Sequence, residues 1–299
     1  MSFTIARTVE DALAAIAAGA RPIAGGTDLV VGARHGKAAL PADLVAIDRI
    51  AGLDEITVGA GNGGVTLGAN VSHHAIEHHP VLAGSYSALA DGSALVGSPA
   101  TRHVGTIGGN VMNASPAMDT GAGLVVLGAE VELRSVHGTR RVPIGELWSG
   151  PGRTIAQPDE LCVAVHLPQP APNSGSAYLR LEYRRAMEIA VVGAAANITL
   201  AADGTVAAVR VALSAVGPTI VSVTGLDTLV GSVDDVADAV AAAASEQATP
   251  ISDVRASDRY RRHTVGVMAR RAVVAAARRA AGETIAIPVN RTLGIGAAS

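Results

Sequence analysis

Two glycine-rich segments place the strongest constraint on this chain. The first is AGGTDL at residues 24–29, and the second is GTIGGN at residues 105–110, which runs into NASPAMD at residues 113–119. Paired glycines let the backbone adopt positive φ and bring successive N–H groups within reach of a bulky anion. Either segment alone is also consistent with a tight turn in a glycine-rich protein. Taken together, they predict two backbone cradles for one diphosphate ligand.

Three further motifs follow in order, namely QPDEL at 157–161, RRAMEIA at 184–190 and DVRAS at 253–257. With all five motifs in sequence, nearly the whole chain resembles the flavin-carrying medium subunit of the molybdenum hydroxylases, the family of xanthine, carbon monoxide and N-heterocycle dehydrogenases. Five ordered motifs are far more specific than any one of them. The resemblance implies an α+β, two-lobed FAD-binding fold of the PCMH and medium-subunit type, with a C-terminal subdomain of antiparallel sheet plus helices.

The resemblance also implies a site for non-covalent FAD between an N-terminal and a middle lobe. Positions that match the family's FAD contacts are Ala24, Gly25, Gly26, Thr27, Asp28, Leu29, Thr106, Gly108, Gly109, Asn110, Ser115, Asp119, Leu161, Arg180 and Ile189. Among them, Ser115 and Asp119 match the adenosine and ribose end, although an aspartate at 119 is also typical of a helix cap. Leu161 and Ile189 match positions beside the flavin ring, and Arg180 stands where the family often has lysine.

The activity implied by the resemblance is an electron relay. A molybdenum-cofactor large subunit would oxidise the organic substrate, a [2Fe-2S] small subunit would pass single electrons, and FAD on this chain would deliver them to NAD or another acceptor. The implied assembly is a dimer of heterotrimers. Two alternatives stay open: a self-contained FAD oxidoreductase of the same fold superfamily, and an assembly subunit that has lost the cofactor.

Composition limits the other classes of function. Cys162 is the only cysteine, so this chain cannot supply four thiolates to an iron–sulfur cluster. The chain contains no P-loop, HExxH or GxSxG motif, which favours a redox cofactor as the reactive group. With a net charge of −3, no long apolar run and no signal-peptide pattern, we expect a cytoplasmic protein with neither a membrane span nor a nucleic-acid partner.

Periodicity and turn residues predict three subdomains, at residues 1–55, 56–170 and 175–285, with a tail at 286–299. A capping box at Thr8 predicts a helix that closes at Gly19. The remaining predicted strands are 21–24, 43–47, 55–58, 65–67, 124–127, 130–135, 161–167, 177–183, 190–200 and 206–213, and the remaining helices are 233–245 and 257–281. Residues 168–175 are dense in turn formers and predict a linker.

Four patterns have a simpler interpretation than the function they suggest. Residues 59–64 (GAGNGG) fit the dinucleotide fingerprint, but a strand-like VTLG follows, so a β-hairpin is predicted. His74 and His78 have the spacing of metal ligands on a helix, although exposed histidines at a helix end are common. Cys162 lies among apolar neighbours and is expected to be a small core residue. The arginines between 255 and 279 indicate a solvated helix face or a subunit-docking face.

Overall fold

A parallel sheet forms the N-terminal lobe of the chain, whose computed structural model describes residues 2–36, 38–60 and 63–292. The strands lie in the order β1-β3-β2, and all pairs are parallel. The elements are β1 (Ser2–Ile5), α1 (Val9–Ala17), β2 (Arg21–Ile23), α2 (Leu29–Arg34) and β3 (Asp43–Ala46). Thr8 Oγ1 accepts a hydrogen bond from Asp11 N at 3.1 Å, and the Asp11 carboxylate accepts one from Thr8 N at 3.1 Å. The predicted capping box is thus confirmed.

A five-stranded antiparallel sheet of order β4-β5-β10-β6-β7 forms the middle of the chain, and helices cover it. The elements are β4 (Ile56–Ala60), β5 (Gly64–Gly68), α3 (His73–His78), α4 (Pro80–Ser85), α5 (Ser87–Leu95), α6 (Pro99–Val104), α7 (Ile107–Asn113), α8 (Asp119–Val126), β6 (Glu130–Ser135), β7 (Gly138–Pro143), α9 (Ile144–Leu147), β8 (Trp148–Gly150), β9 (Arg153–Thr154) and β10 (Leu161–Leu167). Strands β8 and β9 form a separate two-stranded ribbon.

One predicted strand is wrong. Residues 124–126 belong to helix α8, and Leu127 is its C-cap. Nearly every residue of α8 is buried, so the helix shows no amphipathic period that would distinguish it from a buried strand. Gly123 permits this burial, since a Cβ there would lie 2.9 Å from the carbonyl oxygen of Ala88 on α5.

The predicted β4–β5 hairpin is supported by its strands, which pair antiparallel from Ile56 opposite Leu67 to Ala60 opposite Gly64. Gly61 and Asn62, the residues of the predicted turn, lie outside the described residues. Because β5 continues directly after them and no helix does, the dinucleotide fingerprint lacks its structural context. None of the helices in the described ranges is long and apolar enough to cross a membrane.

The C-terminal part is a four-stranded antiparallel sheet of order β11-β12-β13-β14, packed against two long helices. The elements are β11 (Ser174–Leu181), β12 (Val192–Leu200), β13 (Val206–Ser214), β14 (Val221–Ser222), α10 (Val233–Gln247), α11 (Asp258–Ala280) and α12 (Val289–Thr292). This confirms the predicted sheet-plus-helix subdomain, although β11 begins inside the expected linker. Residues 293–299 of the predicted tail lie outside the described residues.

A buried carboxylate ties the middle and C-terminal parts together. Asp91 on α5 is 0% exposed and accepts hydrogen bonds from Arg279 Nη1 at 2.6 Å, Val289 N at 2.8 Å and Tyr178 N at 3.1 Å. Val289 is therefore anchored, which corrects the expectation of a loose tail for this residue. Arg279 is likewise an internal partner and not part of a solvated helix face.

Candidate functional site

An open cleft of about 650 Å³ separates the parallel sheet from the middle sheet and its helices. Its volume lies within the range of small-molecule binding pockets. Eleven of the predicted site residues line it, namely Ala24, Gly25, Gly26, Thr27, Asp28, Leu29, Thr106, Gly108, Gly109, Asn110 and Leu161. The fold thus brings both glycine segments to one cleft, together with the start of β10.

The two glycine segments touch each other through a position that tolerates no side chain. A Cβ added to Gly25 would lie 1.9 Å from the carbonyl oxygen of Val104, at the end of α6. Real Cβ atoms do not approach a backbone oxygen so closely. Gly26 has φ +68°, in the left-handed region that favours glycine. Glycine at positions 25 and 26 therefore allows the chain to pass from β2 to α2 in close contact with Val104, the residue before the second segment.

The first glycine segment presents unbonded backbone donors to the cleft. Within the described residues, the N–H groups of Gly25, Gly26 and Thr27 donate no hydrogen bond to the protein. Successive N–H groups of this kind form a concave site for an anion. The structure therefore supports the sequence prediction of a backbone cradle at residues 24–29.

The second segment is built differently from the expected backbone cradle. The N–H groups of Ile107 and Gly108 donate to Val71 O and Ala69 O, both at 2.9 Å, because the start of α7 packs against the residues that follow β5. Gly109 N donates to Thr106 Oγ1 at 3.1 Å, which makes Thr106 the N-cap of α7. Most N–H groups of this segment are thus used within the protein; among the described contacts only Thr106 N donates no hydrogen bond, so side chains supply most of what faces a ligand.

Two side chains of the second segment retain donors for a ligand. Thr106 Oγ1 accepts from Gly109 N, so its own hydroxyl hydrogen remains available. Asn110 Oδ1 accepts a hydrogen bond from Thr120 Oγ1 at 2.6 Å, which assigns the amide orientation and leaves the Nδ2 hydrogens for the cleft. The second segment therefore offers a hydroxyl and an amide donor opposite the free backbone donors of the first.

His73 is a cleft residue that the sequence analysis did not select. It lines the cleft at the start of α3, is 1% exposed, and its Nδ1 has no hydrogen-bond partner within the described residues. Burial, and then the nearby Arg102 guanidinium, lower the pKa of His73 to about 4, so the imidazole is neutral at pH 7. A buried, unpaired ring nitrogen costs free energy unless a ligand completes its hydrogen bond.

The QPDEL motif closes the cleft from the side of β10. Arg140 on β7 binds Glu160 with two bonds, from Nε to Oε1 at 2.6 Å and from Nη2 to Oε2 at 2.8 Å. Glu160 Oε2 also accepts from Gln157 N at 2.7 Å, and the bond to Arg140 is the main cause that lowers the pKa of Glu160. This fixed turn places Leu161 and Cys162 against the cleft.

The thiol of Cys162, next to Leu161, is unreactive at neutral pH. Cys162 is 4% exposed, and burial raises the pKa of its thiol to about 12. A protonated thiol is neither a nucleophile nor a metal ligand at pH 7. Cys162 is thus the small core residue that the sequence predicts, and it also forms an apolar part of the cleft wall.

Four predicted residues lie outside the cleft, and two of them bind each other. Arg180 is fully buried and donates from Nη1 to Asp119 Oδ2 at 2.6 Å and from Nε to Glu182 Oε2 at 2.7 Å. Asp119 also accepts from Tyr178 Oη at 2.8 Å. These side chains join α8 to β11 and do not line the cleft of this structure. Sequence spacing gave no signal for this ion pair, because the partners lie 61 residues apart.

The other two residues lie on separate surfaces. Ser115 follows α7, and its Oγ accepts from Ala117 N at 3.3 Å within a local turn. Ile189 is 46% exposed in the segment between β11 and β12. Neither lines the cleft of this structure.

Comparisons with known proteins agree with this architecture. Residues 1–170 match the family model described as the FAD binding domain in molybdopterin dehydrogenase, and residues 177–276 match that of the CO dehydrogenase flavoprotein C-terminal domain. The chain is 33% identical over 269 residues to the carbon monoxide dehydrogenase medium chain of Afipia carboxidovorans, covering 87% of this chain and 90% of that one. It is 28% identical over 288 residues to the xanthine dehydrogenase FAD-binding subunit of Escherichia coli O157:H7, covering 94% and 98%.

A solved structure shows the same fold. A chain of the reconstituted CO dehydrogenase from Oligotropha carboxidovorans superposes with a TM-score of 0.87 at 32% identity, covering 93% of this chain and 98% of that chain. The two-lobed fold with its C-terminal sheet and helices, predicted from five motifs, is confirmed at this level.

Proposed function

This chain belongs to the family of FAD-binding subunits of molybdenum hydroxylases, and from that premise we propose that it carries electrons from a [2Fe-2S] partner subunit, through FAD in the cleft, to NAD or another acceptor. When bound, FAD supplies the redox chemistry, and the protein supplies position, electrostatics and exclusion of competing reactions. The observation that carries this proposal is the cleft itself. Both glycine segments line it, and the N–H groups of Gly25, Gly26 and Thr27 have no hydrogen-bond partner among the described residues.

The donors in the cleft fit a diphosphate group. Free N–H groups at Gly25, Gly26 and Thr27 would bind its oxygens from one side. From the other side, the Thr106 hydroxyl and the Asn110 amide would donate. Neutral donors suit this role, because they bind an anion without the desolvation cost of a buried cation. The proposed contacts are therefore these five residues, with Ala24, Asp28, Leu29, Gly108 and Gly109 shaping the two segments.

Aliphatic side chains would hold the flavin ring. None of the described residues that line the cleft is Phe, Tyr or Trp, whereas Ile23, Val96, Met112 and Leu161 do line it. These apolar groups offer contact area to a planar ring and exclude water from it. Leu161 directly follows Glu160, which Arg140 holds with two hydrogen bonds.

The partner subunits are implied by the family to which this chain belongs. Its single cysteine cannot hold an iron–sulfur cluster, so in this proposal a small subunit holds the cluster that feeds it. Oxidation of the organic substrate belongs to a molybdenum-cofactor large subunit. We propose a cytoplasmic complex, with a dimer of heterotrimers as its assembly.

The direction of electron flow is tested with the flavin-loaded chain under anaerobic conditions. The chain is photoreduced and then mixed with NAD⁺, and reappearance of the oxidised flavin spectrum together with NADH formation is the expected result. A reduced chain that NAD⁺ leaves unchanged, but that a quinone or oxygen reoxidises, would exclude NAD as the acceptor. Turnover of an organic donor by this chain alone would instead support a self-contained oxidoreductase.

Replacing His73 with leucine is expected to move cofactor binding and apoprotein stability in opposite directions. The variant removes a nitrogen that no protein group satisfies, so the FAD-free chain should be as stable as the parent or more stable. If His73 Nδ1 hydrogen-bonds to the bound cofactor, FAD affinity should fall by about tenfold, or about 1.4 kcal/mol. Fluorescence titration with FAD and denaturation of the stripped chain give the two readouts. Equal losses of FAD affinity and of apoprotein stability would show that His73 serves only as a core residue.

A further inference from the structure

A cluster of three potential metal ligands lies on helix α3, outside the cofactor cleft. His74, Glu77 and His78 each contribute one nitrogen or oxygen atom, and these atoms all lie within 4.8 Å of one another. The residues stand at i, i+3 and i+4, so a single helix face presents them together. The histidine pair was visible in the sequence, and the proximity of the Glu77 carboxylate to both rings is what the structure adds.

Hydrogen bonding orients the ring of His78 for metal binding. Its Nδ1 lies 2.9 Å from the carbonyl oxygen of His74. A carbonyl oxygen only accepts, so Nδ1 carries the proton and the lone pair of Nε2 points away from the helix backbone. Metal-binding histidines typically have this arrangement, with the second ring nitrogen bonded to a carbonyl or carboxylate group.

Neighbouring groups hold the other two ligands in place. The ring of His74 lies between His78, at a centroid distance of 4.2 Å, and His103 of α6, which stacks on it at 3.8 Å. Glu77 Oε2 lies 3.0 Å from Arg102 Nε, and the side chain of Glu77 is 13% exposed. Arg102 is therefore an ion-pair partner of Glu77, and because neither atom of this contact makes a hydrogen bond among the described residues, the carboxylate retains acceptor capacity for a metal ion.

We propose that His74, Glu77 and His78 bind a divalent transition-metal ion of the Zn²⁺ class. Two imidazoles and a carboxylate suit such ions, whereas Mg²⁺ and Ca²⁺ prefer oxygen ligands throughout. Ligands of one tetrahedral Zn²⁺ are about 3.4 Å apart, given bonds of about 2.0–2.1 Å, whereas the three ligand atoms here lie within 4.8 Å of one another, so the side chains need to close by up to about 1.4 Å. His78 is the exposed ligand, so we expect its ring to make that movement against the single hydrogen bond from Nδ1, and water to complete the coordination.

The ion would stabilise a short helix beside the cofactor cleft. Helix α3 has six residues, too few to be stable by itself, and its first residue is His73. A metal held by His74 and His78 joins successive turns of this helix. The proposal is independent of FAD binding, because no ligand of the cluster lines the cleft.

Isothermal titration calorimetry with ZnCl₂ tests the site, using the full flavin-loaded chain after tag removal and EDTA treatment. We expect one Zn²⁺ per chain to bind saturably below about 100 µM, and His78→Ala to weaken binding by at least about tenfold. His137→Ala removes a histidine that is 83% exposed on a distant turn and should leave the titration unchanged. A melting temperature that rises with Zn²⁺ in the parent chain but not in His78→Ala is the second expected readout. An absence of saturable binding, or equal binding by His78→Ala, would overturn the proposal.

Discussion

Replacing Gly25 with alanine is expected to abolish retention of FAD while leaving a folded chain. The added methyl carbon would lie 1.9 Å from the carbonyl oxygen of Val104, so the first glycine segment must move away from the second. That movement displaces the free N–H groups of Gly25, Gly26 and Thr27 from a position opposite Thr106 and Asn110. We expect FAD affinity to fall by well over tenfold, which corresponds to more than about 1.4 kcal/mol.

Alanine substitutions at two other glycines serve as comparisons for Gly25→Ala. A Cβ at Gly109 would meet only Thr106 Oγ1, at 3.0 Å, so Gly109→Ala should cause a smaller loss. Gly84 on α4 has nothing within 4 Å of such an atom and lies outside the cleft, so Gly84→Ala should retain FAD like the parent. Flavin released by denaturation gives the FAD content, and far-UV circular dichroism verifies folding. Undiminished FAD in a folded Gly25→Ala chain would refute the proposed placement of the diphosphate.

Asp91→Asn is expected to cause the largest loss of stability among conservative substitutions in this chain. The carboxylate accepts from Arg279, Tyr178 N and Val289 N in a site without solvent. An amide turns one acceptor oxygen into a donor and leaves the Arg279 charge without its partner. Breaking a buried ion pair in this way costs about 3–5 kcal/mol of unfolding free energy. In this chain the substitution weakens the contacts that hold α5 against α11 and β11.

An exposed aspartate supplies the matched control for this variant. Asp238 on α10 binds Arg270 Nε at 2.6 Å, but its side chain is 67% exposed. Exposed ion pairs contribute about 0–1 kcal/mol, so Asp238→Asn should scarcely change the free energy of unfolding. Urea denaturation of both variants measures the difference. Similar small losses for both would show that the Asp91 cluster does not hold the C-terminal part in place.

Most of the strands and long helices follow from local patterns in the sequence. Strand β6 matches its predicted bounds because Glu130–Ser135 alternates buried and half-buried residues. Helix α10 begins at Val233, as predicted, and Ser232 caps it by accepting a hydrogen bond from Asp235 N. Helix α8 was misassigned because it is buried on all sides. Its apolar run fits either a strand or a helix, and only packing against α5 and the C-terminal sheet decides between them.

The site was predictable where it depends on backbone shape, and less so where it depends on distant side chains. The glycine pair at 25 and 26 stands out in the sequence and lines the cleft, where Gly26 adopts positive φ and Gly25 allows the close approach of Val104 O. Arg180 and Asp119 matched family positions, yet the fold pairs them with each other in the interior. His73 carried no sequence signal, because its importance lies in a nitrogen that the folded chain leaves unbonded.

The most direct test of the account is the absorption spectrum of the purified chain, with the released cofactor identified by chromatography after denaturation. The cleft between the two glycine segments predicts a flavin spectrum and about one FAD per chain, since a single diphosphate fits between one set of free N–H groups and one pair of side-chain donors. A colourless chain that also fails to take up added FAD would contradict the central claim and favour an assembly subunit without a cofactor.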